Sequence, residues 1–130
     1  MPHELDEWIE GYRFAWENRD PEAAARLFTP EATYRDNMFE EPHRGQEGVR
    51  AYWESVTETQ SEVSVRMGRP FADGRRVTVE FWTNMKISGE DVTLPGCLLL
   101  DFDDDWLCNR LREYWHFEPG RQDPPVEWGA

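Results

Sequence analysis

The stretch Ala32-Thr33-Tyr34-Arg35-Asp36-Asn37-Met38-Phe39-Glu40-Glu41-Pro42-His43-Arg44-Gly45 starts as a strand, Ala32 to Asp36, and gives way to a polar, turn-rich connection closed by Gly45. The residues before it are helical in pattern. Leu5, Trp8, Ile9, Tyr12 and Trp16 recur at helical spacing, which predicts an amphipathic helix with an aromatic inner face and a charged outer one. Asn18-Arg19-Asp20-Pro21 breaks it. Asp20 as N-cap and Pro21 at the first helical position start a short second helix through Phe28, which Thr29-Pro30 ends. After the stretch, Val49, Tyr52, Trp53 and Val56 form the stripe of a third helix.

Beyond Gln60, β-branched residues rise and turn signals recur at Asp73-Gly74, Ser88-Gly89 and Asp103-Asp104-Asp105. They delimit four strands, near 61–71, 75–87, 92–102 and 106–117. The order helix, helix, strand, helix, then antiparallel meander is an α+β arrangement with helices on one face of a curved sheet. The run Leu98-Leu99-Leu100 is apolar on both strand faces, so both should be covered. With helices on one face only, a second copy of the chain is the expected cover, which predicts a homodimer. The domain is expected over 1–118. The tail 119–130, with three prolines and two glycines, should run over the surface or across a partner.

Composition narrows the function classes. At 130 residues the chain suits one core, and seven Trp, seven Phe and four Tyr supply large buried areas for it or for a cavity wall. The net charge of −13 repels nucleic-acid phosphates and anionic membranes, so neither is an expected partner. Met1 to Asp6 lacks a signal-peptide pattern and no stretch is long and apolar enough to cross a bilayer, so a cytoplasmic location is expected. Cys97 and Cys108 lack the spacing of a metal or redox pair; a tight turn near Asp104 would set Cys108 opposite roughly residue 101, leaving two free thiols. His3, His43 and His116 are scattered, and no metal is expected.

The element order, the quoted stretch and Leu111-Arg112-Glu113-Tyr114-Trp115 resemble the nuclear transport factor 2-like superfamily, in its SnoaL-like and ketosteroid isomerase-like branches. The resemblance covers nearly the whole chain. It implies a cone-shaped, cystatin-like fold in which three N-terminal helices and a curved antiparallel sheet enclose a pocket. Asp36 falls at the isomerases' general base and Tyr12 at their oxyanion donor, whereas the neutral Asp that is their second donor would fall at Cys97, a weak replacement.

These matches are weighed against structural readings. Asp36 could instead be tied to Arg35, Arg44 or a backbone amide, and Tyr12 could be a core tyrosine. Trp16 and Trp53, on the inner helical stripes, suit core packing or ligand contact. In strand 75–87, Val77, Val79, Phe81, Thr83 and Met85 alternate with Glu80, Trp82, Asn84 and Lys86. The first set is apolar enough for a subunit interface, and the resemblance turns the second toward the cavity, where the structural reading makes it the solvent face of the strand. It also places Trp115 at the pocket, with a one-residue slip that would substitute Tyr114. Tyr34, Met38, Cys97 and Leu99 complete the expected ligand-lining set.

The resulting expectation is a dimeric protein that binds a small, largely apolar or polyketide-like carbonyl compound. Asp36 would move a proton and Tyr12 would stabilise the enolate, without a cofactor, in an isomerase, cyclase or dehydratase. The alternatives are a module that binds without catalysis and a structural dimer with a filled core.

Overall fold

The computed structural model describes residues 2–130 and shows a mixed α+β architecture, with helices against one face of a curved, unclosed sheet. Helix α1, His3–Glu17, buries Leu5, Trp8, Ile9, Tyr12, Ala15 and Trp16, the stripe its spacing predicts with Ala15 added. Helix α2, Pro21–Ala25, starts as expected: Pro21 occupies its first turn and the Asp20 carboxylate accepts from the Ala23 N–H at 3.1 Å. It stops at Ala25 and not at Phe28. The backbone of Leu27 accepts from Cys108 N–H, and Phe28 pairs with Cys108, so the sheet claims these residues.

Strand β1 therefore runs Phe28–Arg35 and contains Pro30, which the sequence reading took as a helix stop. Pro30 has no N–H for the ladder, and the register against the last long strand shifts between Phe28 and Thr33 to absorb it. Strand β2, His43–Arg44, folds back on β1 with Tyr34 opposite His43. Helix α3, Gly45–Thr57, follows and buries Val49, Trp53 and Thr57.

The expected strand near 61–71 is divided by Gly68-Arg69-Pro70 into β3, Gln60–Met67, and β4, Phe71–Asp73. Strands β5 (Arg76–Ile87), β6 (Glu90–Phe102) and β7 (Cys108–Trp115) form the meander, and a short β8 (Glu118–Pro119) joins β6. The order is β2-β1-β7-β6-β5-β3, antiparallel except where β1 runs parallel to β7. A register shift between Asp101 and Phe102 sets Cys108 opposite Phe102 and Cys97 opposite Tyr114, and both thiols are free.

One facing expectation is reversed. Val77, Val79, Phe81, Thr83 and Met85 are buried, the four hydrophobic ones as members of the core, whereas Glu80 is exposed and Trp82 half-buried on the other face of the sheet. Packing α1 on the strands puts the apolar set of β5 under the helix; Trp16 and Phe81 meet edge to face at 5.3 Å. Leu98 and Leu100 likewise enter the core, and Leu99 points outward, half-buried.

The tail crosses its own sheet. Gly120 N–H bonds Asp91 O at 2.8 Å, Gln122 N–H bonds Thr93 Oγ1 at 2.9 Å, and Trp82 Nε1 donates to Gln122 O at 3.0 Å. The tail thus covers Asn84 as well, whose Oδ1 accepts from Thr93 Oγ1 at 3.0 Å.

Candidate active site

Between α1, α3 and the inner face of the sheet lies a cavity of about 340 Å³. The aromatic stripe of α1 gives it Tyr12 and Trp16, α3 gives Tyr52 and Trp53, and the strands give Tyr34, Met85, Glu113 and Trp115. Asp36 lines it from just past the end of β1. Among the described residues no lysine or arginine borders it.

Its polar groups are connected. Tyr34, opposite Leu111 in the β1–β7 ladder, has its hydroxyl 3.2 Å from Glu113 Oε1, a bond it donates when that carboxyl is ionised, and the Tyr12 and Tyr34 hydroxyls are 3.2 Å apart. All three residues are buried. Burial, and secondly the Asp36 charge, push the Glu113 carboxyl up to about 8 against the opposing Tyr34 hydrogen bond, so it is mainly a neutral acid at pH 7. Burial, with the Glu113 charge next, raises Tyr12 well above the usual phenol range, and burial does the same to Tyr34. Both stay protonated donors.

Asp36 sits in a different setting. Its Oδ1 is 2.9 Å from His43 Nε2, its backbone carbonyl accepts from Trp115 Nε1 at 2.8 Å, and its side chain is 25% exposed. His43 is held in turn: its ring stacks on Tyr52 at 4.5 Å and 29°. Oδ2 has no protein hydrogen bond among the described residues, which leaves one carboxylate oxygen available toward the cavity. Two carboxyls thus border one cavity in different settings, Glu113 buried and Asp36 partly open to solvent.

Of the residues singled out from sequence, Tyr12, Asp36, Trp16, Tyr34, Trp53 and Trp115 converge on this cavity. The last-strand register resolves to Trp115, while Tyr114 faces outward. The other six do not converge there. Met38, in the loop after Asp36, is outside the lining. Glu80, Trp82 and Cys97 border a cleft on the outer face, Leu99 a separate outer depression, and Asn84 lies beneath the tail. The reason is the β5 facing corrected above, shared by its antiparallel neighbour β6. The thiol of Cys97, 3.0 Å from Thr78 Oγ1, therefore does not replace the isomerases' second acid.

Sequence reasoning missed Glu113, Tyr52 and His43. Glu113 had a signal: it alternates in phase with Leu111, a carboxylate on the apolar face of a strand. His43 had none, because its partner is fixed by the β1–β2 turn.

A SnoaL-like domain model matches residues 8–109. No match was found among curated proteins. Similar solved structures include a Catenulispora acidiphila hypothetical protein of ketosteroid isomerase-like fold in complex with trimethylamine, with TM-score 0.75, 22% identity, and 83% of this chain and 84% of that one covered. A Mycobacterium tuberculosis LEH-like epoxide hydrolase has TM-score 0.72 and 20% identity over 87% of this chain and 83% of its own. A putative SnoaL-like polyketide cyclase from Shewanella denitrificans has TM-score 0.74 and 17% identity over 89% and 92%. At these identities the structures establish a shared fold, and with the family match over most of its length the chain belongs to the SnoaL-like domain family.

Proposed function

We propose that this protein catalyses cofactor-independent proton transfer on a small, largely apolar carbonyl compound, as an isomerase, cyclase or dehydratase. The observation that carries the reading is the opening of Asp36 and the linked Tyr12, Tyr34 and Glu113 onto one aromatic cavity. Related folds that carry epoxide hydrolase and polyketide cyclase chemistry, and one that holds a small amine, support a cavity for a small organic molecule.

In this reading Asp36 removes a proton from the carbon next to the carbonyl, and His43 holds the carboxylate in place through Oδ1. Negative charge moves to the carbonyl oxygen, which needs a donor. Neutral Glu113 can donate to Tyr34, Tyr34 to Tyr12, and Tyr12 to the enolate oxygen, so the buried acid backs a donor that faces the substrate. Asp36 then returns the proton at another carbon or to a leaving oxygen. Protons move only between side chains and substrate, so the reaction needs no organic cofactor.

The test is an ultraviolet assay for migration of a β,γ-double bond into conjugation across a panel of small cyclic ketones, comparing the natural protein with Asp36→Asn. Turnover that drops at least ~100-fold in the variant supports the base. Binding of the same ketones without turnover in either protein would move the reading to a module that binds only.

A further inference from the structure

A second cleft lies outside the cavity, where the tail meets the outer face of the sheet. Here Trp82 of β5 and Trp128 of the tail stand edge to face, 5.9 Å apart at 73°, as two walls of a cleft of about 550 Å³. Tyr114, 49% exposed, and the carboxylate of Glu80 also border it.

The tail is anchored so as to hold Trp128 there. Arg69 N–H bonds Gly129 O at 2.9 Å, Trp128 N–H bonds Pro125 O at 3.0 Å, and Trp82 Nε1 bonds Gln122 O at 3.0 Å. The backbones of Gly68 and Gly129 touch: a Cβ on Gly68 would lie 3.1 Å from Gly129 Cα. Side chains on both residues would push the tail, and Trp128 with it, off the sheet.

Charge selects the occupant. Among the described residues no lysine or arginine lines the cleft and Glu80 enters no ion pair. The net charge of −13 repels anions and concentrates cations at the surface. Indole faces attract cations through the ring quadrupole, and Trp128 already holds one, the Arg66 guanidinium, 5.4 Å from its ring. We infer that the cleft formed by Trp82, Trp128, Tyr114 and Glu80 is a second binding site, for a small alkylated ammonium compound. The cleft opens on the other face of the sheet from the inner cavity, and Trp115 at the end of β7 borders both.

The experiment titrates the full chain with choline and, separately, with the uncharged tert-butyl analogue of choline, following tryptophan fluorescence and the indole N–H signals by NMR. The two probes match in shape and differ in charge. Choline should bind about tenfold more tightly than the analogue. Trp128→Ala should remove that preference and Glu80→Gln should reduce it, with the thermal unfolding midpoint confirming that both variants fold. Asp36→Asn should leave it intact. Equal binding of the two probes would overturn the inference. So would a choline preference that survives Trp128→Ala and is lost in Asp36→Asn, because the cation would then sit in the inner cavity.

Discussion

Glu113 is the buried acid of the cavity, and its protonation gives two predictions of opposite kind. Above about 8 the carboxyl ionises in the folded protein. Tyr34 then donates to it and can only accept from Tyr12, so a substrate oxygen must compete with Tyr34 for the one Tyr12 hydrogen. Under the proposed function, kcat should fall as pH rises through about 8, and Tyr12→Phe should lower kcat by roughly 100-fold at neutral pH. The stability prediction stands without any reaction. Because burial raises the folded value from the ordinary 4.5 to about 8, the folded state keeps a proton that the unfolded state has lost between those limits. The stability linked to this proton is fully present below 4.5 and is lost as pH rises to about 8. Glu113→Gln cannot ionise. Urea unfolding should show its stability relative to the natural protein improving over that window by on the order of 4 kcal/mol, and a flat difference would refute the buried neutral acid.

At the scale of elements, what could be read in the sequence was whatever a local rule decides. The α1 stripe, the Asp20 and Pro21 start of α2, the glycine turns and the three long strands of the meander all follow from spacing and turn chemistry, and the structure contains them, with the strand near 61–71 split in two and a short β8 added. Tyr12, Trp16 and Trp53, which those rules place on the inner stripes of α1 and α3, line the cavity. The parallel pairing of β1 with β7, Pro30 inside a strand and the early end of α2 come from one long-range contact, Phe28 with Cys108, that no local signal reports. The facing of β5 failed for another reason. Its alternation identified two sets correctly, but the more apolar set, which burial alone would have sent under the helices, was assigned outward by analogy. Gly45 shows how tightly the quoted stretch is closed. It has φ +69°, and a Cβ there would lie 2.9 Å from Pro30 O. Gly45→Ala therefore meets both an unfavourable backbone conformation and a backbone carbonyl, and should destabilise by roughly 1–3 kcal/mol in urea unfolding. A change within error would mean that β1 and the start of α3 can move apart at little cost.

At the scale of the whole molecule, the outer face of the sheet is divided. The tail covers the end around Trp82, Thr93 and Asn84, while the other end carries Leu99, Thr78 and Arg112 beside an exposed Phe71 around an open depression of about 350 Å³. Leu99 is the member of the Leu98-Leu99-Leu100 run that the helices leave uncovered. We propose that this end pairs with a second copy. A two-fold contact there would bury Leu99 and Phe71 of both chains while Arg76 and Arg110, which both approach Asp101, gain acceptors at its rim. The net charge of −13 per chain opposes the pairing, so it should strengthen as salt screens that repulsion. Light scattering at micromolar concentration should give twice the 15.4 kDa chain mass, and Leu99→Asp should return the mass to one chain with the unfolding midpoint little changed. A natural protein that scatters as a monomer at both low and high salt would show that the tail and the half-exposed strand face are all the cover this sheet needs.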